Sequence, residues 1–305
     1  MDRRATWVLG IVFGGLFLCL FGFLALIFMA VQGGGSRSGA SLGVGARVGV
    51  IEVVGPIMDS RQFLDDLRAF EEAGHIKAIV IRVDSPGGGV APSQEMYEAI
   101  KRARQTKKIY SSMGSLAASG GYYIAAATEK IYANPGTMTG SIGVIMQQPN
   151  VEGLLRWAGV SMNTLTAGKL KDSGSPFRAM TSDERSYLEL MLKDVHEQFI
   201  AAVANGRGLE VEEVRPHADG RVFTGRQAKD MKLVDELGGL QDAVTELGRS
   251  AGMKGTPEVE YPARKRKFLE ELLGEEANAL MGGAARALGR LEGPSLEYRI
   301  PLSSP

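Results

Sequence analysis

The feature that most constrains the structure of this chain is an uncharged, strongly apolar segment at residues 7–31. The segment has 25 residues, and a helix needs about 20 apolar residues to cross the hydrocarbon core of a bilayer. Arg3 and Arg4 precede it, so the positive-inside bias predicts a cytoplasmic N-terminus and an exported body. We therefore expect a single-pass protein of the cytoplasmic (inner) membrane that faces the periplasm or cell exterior. A cleaved signal peptide is the alternative, although the segment is long for that role.

The chain as a whole divides into four parts. Residues 1–31 would be a cytoplasmic stub and one transmembrane helix, and the Gly- and Ser-rich residues 32–45 would be a flexible tether. Residues 46–262 are numerous enough to bury a full hydrophobic core. The tail at 263–305 contains apolar residues at helical spacing between 268 and 291, which predicts an amphipathic helix packed on the body or on a neighbouring subunit.

Composition excludes several classes of function. The chain has 35 basic and 35 acidic side chains, and this balance gives no reason to expect a nucleic-acid partner. Its single cysteine, Cys19, lies in the apolar segment, and its three histidines are His75, His196 and His217. None of these residues has a metal-ligand spacing, so we expect no metal and no cofactor.

Strands and helices alternate along the first half of the body. A strand, a glycine loop, a helix, a strand and a further helix follow one another, which is typical of an α/β fold with a parallel sheet. The predicted strands are 47–54, 78–83, 108–112 and, further on, 161–166. The predicted helices begin near residue 60, at 92–105 and 118–128, then at 181–205 (opened by a capping box), 210–217, 225–231 and 240–250.

A glycine loop at 84–89 (Asp-Ser-Pro-Gly-Gly-Gly) joins a buried strand to a helix. Glycine lets a backbone adopt positive φ and approach a ligand closely. A phosphate cradle would need a lysine followed by serine or threonine, and the loop has neither. An oxyanion hole made of backbone N–H groups and a plain tight turn both remain open.

Ser119 stands out among the small residues 114–123, with Gly120 and Gly121 directly after it. A serine at the start of a helix has free backbone N–H groups beside it, as nucleophiles on sharp strand-to-helix turns do. The alternative is a purely structural role, in which Ser119 caps the helix.

A nucleophilic serine needs a base, and none of the three histidines has a companion motif that indicates a triad. A lysine can replace histidine if burial lowers the pKa of its amine by several units. Lys169 and Lys171 lie in a loop that could be covered, although either could be an ordinary surface lysine. Ser141, in a turn of small residues, could hydrogen-bond such a lysine and orient it.

Taken together, the order and spacing of these motifs resemble the signal peptide peptidase A family in its short, single-domain bacterial form. The resemblance runs from about residue 47 to residue 252. The segments that carry it are 84–90, 112–123, 139–144, 168–172, 218–228 and 233–238.

The resemblance implies a crotonase-like, Clp-protease-like α/β fold that acts without a cofactor. It implies that Ser119 is the nucleophile and Lys171 the general base, with Ser141 assisting the lysine. It also implies that Gly88 and Gly120 lend their amides to an oxyanion hole. The expected function is a membrane-anchored serine endopeptidase that degrades remnant signal peptides and other short or unfolded peptides outside the cytoplasm.

Assembly follows from the same resemblance. Long relatives carry two copies of the domain and pair a lysine of one copy with a serine of the other, whereas this chain has no internal repeat. We therefore expect a ring-shaped homo-oligomer whose sites are shared between subunits. The alternatives are a related membrane-protein-specific peptidase and a non-enzymatic membrane scaffold with the same fold. An acyl-CoA hydratase or isomerase is disfavoured, since it would need catalytic carboxylates.

Overall fold

The computed structural model describes residues 45–263 and the backbone of residues 296–299. The predicted transmembrane helix at 7–31, the tether at 32–45 (except Gly45) and the amphipathic segment at 268–291 lie outside the described residues. Within the described part of the chain, no helix combines the length and the apolar character needed to span a membrane.

A mostly parallel sheet forms the centre of the body. Its continuous path has the strand order β10-β1-β2-β4-β5-β9, and every neighbouring pair along it is parallel. In chain order the strands are β1 (Arg47–Val54), β2 (Ile76–Ser85), β3 (Gly87–Gly89), β4 (Lys108–Ala118), β5 (Lys130–Ala133), β6 (Met138–Gly140), β7 (Ile145–Met146), β8 (Val222–Thr224), β9 (Glu236–Leu237), β10 (Glu258–Glu260) and β11 (Leu296–Arg299). The predicted mixed α/β fold with a parallel-rich sheet is confirmed.

Helices cover both faces of this sheet, which explains why its strands are apolar on both sides. In chain order they are α1 (Arg61–Glu72), α2 (Val90–Ala103), α3 (Gly120–Ala126), α4 (Glu152–Trp157), α5 (Ser182–Arg207), α6 (Val211–Val214), α7 (Gly225–Asp230) and α8 (Leu240–Ser250), with a 3-10 turn at Arg215–His217. The larger core lies between one face of the sheet and α1, α2, α3 and α5. The smaller core lies under α8, where Val244 and Leu247 pack on the strand residues Val48, Val80 and Tyr110.

Strand β4 is longer than predicted and runs directly into the position of Ser119. Its first half pairs with β5, and its last three residues pair with β6 instead. Because Ala118 is the partner of Gly140 in this ladder, the residues that follow them, Ser119 and Ser141, leave neighbouring strands at the same level. Adjacent strands lie about 4.8 Å apart, so the sheet itself brings the two serines together.

A second, three-stranded sheet lies beside the first. Its order is β3-β11-β7, and β11 is antiparallel to both of its neighbours. The outer strands β3 and β7 therefore run in the same direction and are held one strand apart by residues 296–299.

Most predicted elements are present with ends shifted by a few residues, and one is wrong. The strand β1 and the helix α8 have the predicted bounds, and Thr181 forms the predicted capping box with Glu184 at the start of α5. The predicted strand at 161–166 has no regular secondary structure. Every residue of that stretch is exposed, including Leu165 at 98%, and no described strand pairs with it, so its β-branched and apolar residues have nothing to pack against.

Candidate active site

Ser119 occupies the turn between β4 and α3 in an unusual backbone conformation. Its φ is +54°, a region that side-chain-bearing residues adopt rarely and that marks functional sites. The backbone is held there because the Ser119 N–H donates to the Gly140 carbonyl (2.8 Å) and the Ser119 carbonyl accepts from the Tyr123 N–H (2.8 Å). The side chain is 1% exposed, and its Oγ has no hydrogen-bond partner among the described residues. A buried, unpaired hydroxyl on a strained turn is what a nucleophile awaiting its base would show.

Gly120 and Gly121, which follow Ser119, pack closely against the glycine loop at residues 84–89. A Cβ on Gly120 would lie 3.2 Å from the amide nitrogen of Gly88 and 2.6 Å from Oγ of Ser93. A Cβ on Gly121 would lie 2.9 Å from the Ser85 carbonyl oxygen. Larger side chains would therefore separate the two segments. The structure brings Gly88 and Gly120 together beside Ser119.

Hydrogen bonds to Ile57 fix the glycine loop so that the backbone N–H and C=O of Gly88 face the side opposite to Ile57. The Ile57 N–H donates to the Gly87 carbonyl (2.9 Å), and the Gly89 N–H donates to the Ile57 carbonyl (2.8 Å). Since successive polar groups of a strand point to alternate sides, the N–H and C=O of Gly88 face the opposite side. A Cβ on Gly88 would lie only 2.1 Å from the Ile57 carbonyl oxygen, so the loop needs glycine here.

Helix α3 positions the backbone N–H groups next to Ser119. Gly120 is its first residue, so the Gly120 N–H has no carbonyl partner within the helix and can donate outward. The helix is anchored from behind by buried Tyr122, whose hydroxyl donates to the Leu233 carbonyl (2.9 Å). Burial raises the pKa of Tyr122, and it raises the pKa of Tyr123 to about 12. Both tyrosines therefore stay neutral and serve as packing groups.

Ser141, like Ser119, has a backbone with positive φ. Its φ is +51°, it is 5% exposed, and its N–H donates to the Arg221 carbonyl (2.8 Å). Thr139, two residues earlier, fixes the turn because its hydroxyl donates to the Ala117 carbonyl (2.6 Å). Ser141 also lines a cavity of about 370 Å³ together with Ile145 and His196.

The structure gives no serine–histidine pair at this site. The Nε2 atom of His196 is buried and, like the Oγ of Ser119, has no hydrogen-bond partner among the described residues. The two atoms are therefore not bonded to each other. Nor does any group of three His, Cys, Asp or Glu side chains in the described part of the chain form a metal-ligand cluster.

The two candidate lysines have different environments. Nζ of Lys169 donates to Oδ2 of Asp183 at 2.6 Å, and this carboxylate raises the pKa of Lys169. Such a lysine stays charged and is a poor base. Lys171 is exposed and forms no ion pair or hydrogen bond through its side chain with the described residues. Within one chain, then, Lys171 is not bonded to Ser119.

Arg178 holds the turn that carries Lys171, a role that the sequence did not indicate. Its Nε donates to Oδ2 of Asp172 (2.9 Å) and its Nη2 to the Asp172 carbonyl (3.0 Å). The same guanidinium binds both carboxylate oxygens of Glu184 at the start of α5. These contacts lower the pKa of Glu184 to about 2. The residue next to Lys171 is thus tied to a long helix of the body.

Ser93 is a second residue whose role at the site the sequence did not indicate. It lies in α2, is fully buried, and donates its hydroxyl to the Gly89 carbonyl (2.9 Å). It packs against Gly120 and so connects the glycine loop to the turn of Ser119. Nothing in the helical pattern of α2 distinguishes it from an ordinary buried serine.

Two models of known protein families match the chain. The family model described as "Peptidase family S49" matches residues 101–254, and the model described as "Clp protease" matches residues 46–152. The first match contains Ser119, Ser141 and Lys171, and the second contains Gly88 and Gly120.

Individual relatives extend over most of the chain. A protein of Synechocystis sp., provisionally named a protease, is 42% identical over 209 residues, which are 68% of this chain and 75% of the relative. A protein of Enterococcus faecium, provisionally named signal peptide peptidase SppA, is 33% identical over 76% of this chain and 67% of its own. The chloroplastic serine protease SPPA of Arabidopsis thaliana is 32% identical over 77% of this chain and 34% of its own length.

Proposed function

The chain belongs to peptidase family S49 and is a serine peptidase, and from this premise we propose that it is a membrane-anchored endopeptidase with a serine–lysine dyad. Its substrates would be signal peptides and other short or unfolded peptides outside the cytoplasm. The observation that carries the proposal is the state of Ser119: a buried hydroxyl without a partner among the described residues, on a strained turn, beside the amides of Gly88 and Gly120.

In the proposed reaction, Oγ of Ser119 attacks the carbonyl carbon of the peptide bond. The neutral amine of Lys171 accepts the hydroxyl proton and later passes it to the departing amine. The amides of Gly88 and Gly120 donate to the oxygen that becomes negative, an interaction worth about 3 kcal/mol per donor in related chemistry. Water then hydrolyses the acyl-enzyme. Ser141, directly after the strand β6 that pairs with the end of β4, would hydrogen-bond the amine and orient it.

The base would come from a neighbouring subunit of a ring. Lys171 is exposed in the single chain, whereas a lysine that acts as a base needs surroundings that disfavour its charged form. A subunit interface would cover Lys171, disfavour its charged form and bring it to the unpaired hydroxyl of Ser119. A head-to-tail contact of this kind closes into a ring.

The membrane proposal is supported by the sequence of residues 7–31, and the substrate class by the signal peptide peptidase name of the relative from Enterococcus faecium. An anchor of this kind would hold the body near the bilayer, where cleaved signal peptides remain.

A serine-reactive fluorophosphonate probe gives the most direct test of the proposal. The full-length protein is treated with the probe, digested, and mapped by mass spectrometry. We expect a single modified residue, Ser119, and protection from labelling by a synthetic signal peptide. Labelling of another serine alone would assign the nucleophile to that residue instead of Ser119. No labelling in a protein that is folded would favour a non-enzymatic scaffold.

A further inference from the structure

Strand β4 contains two extra residues shortly before the turn of Ser119. The ladder between β2 and β4 is interrupted between two partner pairs, Val83 with Met113 and Ser85 with Ala117. Only Asp84 lies between these pairs on β2, whereas residues 114–116 lie between them on β4. We call residues 114–116 the β4 bulge. Bulges re-aim the residues that follow them and are frequent next to active sites.

The side chain of Asp84 occupies the β4 bulge, where it does what a backbone carbonyl does in a regular ladder. Its Oδ1 accepts a hydrogen bond from the Leu116 N–H at 3.1 Å. Gly114, at the other end of the bulge, leaves room for this carboxylate, because a Cβ there would lie 2.5 Å from Oδ2 of Asp84. On the opposite edge of β4, the hydroxyl of Thr137 donates to the Gly114 carbonyl at 2.7 Å. One carboxylate and one hydroxyl therefore hold the two ends of the bulge.

The β4 bulge sets the level at which Ser119 reaches the glycine loop. If the first register continued without the extra residues, Ser119 would stand level with Gly89, whereas the shifted register places it level with Gly87. A strand rises about 3.3 Å per residue, so the two levels differ by about 7 Å. The shifted register is the one that the contacts require, since a Cβ on Gly120 would lie 3.2 Å from the Gly88 nitrogen. Without the bulge, the amides of Gly120 and Gly88 would no longer be neighbours.

From this arrangement we propose that Asp84 is a positioning residue, which acts through the β4 bulge on the hydroxyl of Ser119 and the amide of Gly120. The proposal rests on the proposed function, since it takes Ser119 as the nucleophile and Gly120 as an oxyanion donor. The carboxylate bonds to Leu116, three residues before the nucleophile, and therefore acts through the backbone. It keeps the end of β4 in the shifted register, so that the nucleophile and the two amides stay in one arrangement. Loss of the carboxylate should lower kcat and leave KM nearly unchanged, because the reacting groups move and the bulge itself does not bind substrate.

The first test compares the kinetics of Asp84→Ala and Asp84→Asn in the full-length protein. A displacement of about 1 Å can cost about a hundredfold in rate, so Asp84→Ala should lower kcat about a hundredfold and change KM less than about twofold. Asparagine keeps a carbonyl oxygen that can accept from the Leu116 N–H, so Asp84→Asn should recover most of this loss. Asp242→Ala is the matched control and should keep the parent kcat, because it removes a carboxylate that accepts from the Gly239 N–H (2.8 Å) at the start of α8. A folded Asp84→Ala with the parent kcat, or an equal loss in Asp84→Asn, would overturn the proposal.

Thr137→Val is a milder variant that decides the question if Asp84→Ala does not fold. It removes the hydroxyl at the other end of the β4 bulge and nearly keeps the side-chain volume. We expect kcat to fall about tenfold, and the rate at which the fluorophosphonate probe labels Ser119 to fall by the same factor, since labelling uses the same hydroxyl and amides without a peptide. Parent rates of both reactions in folded Thr137→Val would show that the bulge does not position the site. Labelling of a residue other than Ser119 in the parent protein would instead refute the proposed function.

Amide hydrogen exchange needs no catalysis, so it separates the positioning role of Asp84 from the proposed function. Exchange at Leu116 and Ser119 is measured in the parent, in Asp84→Ala and in Asp84→Asn. The Leu116 N–H loses its acceptor in Asp84→Ala, and the Ser119 N–H, which donates to the Gly140 carbonyl at 2.8 Å, is released as well if the carboxylate holds the register. We expect exchange to be about tenfold faster at both amides in Asp84→Ala and close to the parent rate in Asp84→Asn. Faster exchange at Leu116 alone, or at neither amide, would show that Asp84 does not hold the turn, whether or not Ser119 is the nucleophile.

Discussion

Ser119 and Ser141 follow directly after two residues, Ala118 and Gly140, that are partners in the ladder between β4 and β6. Both serines then turn out of the sheet with positive φ, +54° and +51°. The parallel ladder therefore sets the spacing of the two serine backbones independently of any contact between their side chains. In the proposed mechanism, a lysine amine brought to this edge would reach both hydroxyls.

Replacing Ser119 with alanine should abolish peptide cleavage without unfolding the protein. The hydroxyl is buried and makes no hydrogen bond among the described residues, so its removal should leave the free energy of unfolding unchanged or about 1 kcal/mol higher. Thermal denaturation and a peptidase assay measure the two effects. Ser111→Ala removes a second buried, unpartnered hydroxyl in β4 and should retain activity. Cleavage by Ser119→Ala at the parent rate would exclude it as nucleophile.

Lys171→Ala should be as damaging as Ser119→Ala, and Lys169→Ala should have little effect. Lys169 forms an exposed ion pair with Asp183, and solvent screens such pairs so that they contribute little to stability. Because a lysine base must be neutral, the activity of the parent should rise as pH increases and the amine loses its proton. A rate profile that is flat from about pH 6 to pH 9 would contradict a lysine base with a lowered pKa.

Mixing inactive Ser119→Ala and Lys171→Ala subunits should restore activity if sites are shared between subunits. Some interfaces of the mixed ring would then combine an intact serine with an intact lysine. The two proteins are mixed under conditions that allow subunit exchange, and activity is followed with time. A mixture of Ser119→Ala with the double variant is the control and should stay inactive. If each chain supplies both its own serine and its own lysine, no mixture can recover activity.

Gly120→Ala should lower kcat about a hundredfold, which is the effect of losing one oxyanion donor. The added Cβ would lie 2.6 Å from Oγ of Ser93 and 3.2 Å from the Gly88 nitrogen, so the two amides could not keep their positions. Gly136→Ala is the matched control, since a Cβ there meets nothing within 4 Å. Full activity in Gly120→Ala would show that the amide of Gly120 stabilises no charge in the reaction.

Arg178→Ala should reduce activity about ten- to a hundredfold by releasing the turn of Lys171, because small displacements of a catalytic group are costly. Limited proteolysis should show faster cutting within residues 151–180. The pKa of Glu184 is lowered to about 2, so the contact with Arg178 is present above the ordinary carboxylate pKa and is lost as pH falls toward about 2. Arg185→Ala breaks only an exposed pair with Glu189 and should resemble the parent.

The sequence could predict those parts of the site that depend on local chemistry. Small residues around Ser119 and the glycines at 87–89 indicated a strained turn and a close backbone approach, and the structure has both. The length of β4 was underestimated because its last residues, Leu116 to Ala118, pair with β6, which is too short and too distant in sequence to be seen as a strand. The second sheet could not be predicted for the same reason, since its strands have two to four residues.

Other features could be identified only from the tertiary structure. The stretch at 161–166 has the residue types of a strand, yet no described strand lies beside it. The contact of Arg178 with Asp172 and Glu184 depends on how the chain returns to α5, and no local pattern encodes it. Whether Lys171 meets Ser119 of its own chain or of a neighbour is likewise a property of the assembly.

The space between β3 and β7, which β11 fills in the structure, has a consequence for what can be cut if a substrate binds there as an extended strand. A chain segment fits there only if both of its hydrogen-bonding sides are free, and residues within a helix or inside a sheet have already used theirs. As a result, susceptibility would be set by the free energy that a polypeptide needs to expose a few residues in extended form, more than by the identity of its side chains. Stable proteins at the membrane surface would be spared for thermodynamic reasons, and peptides without a fold would be consumed.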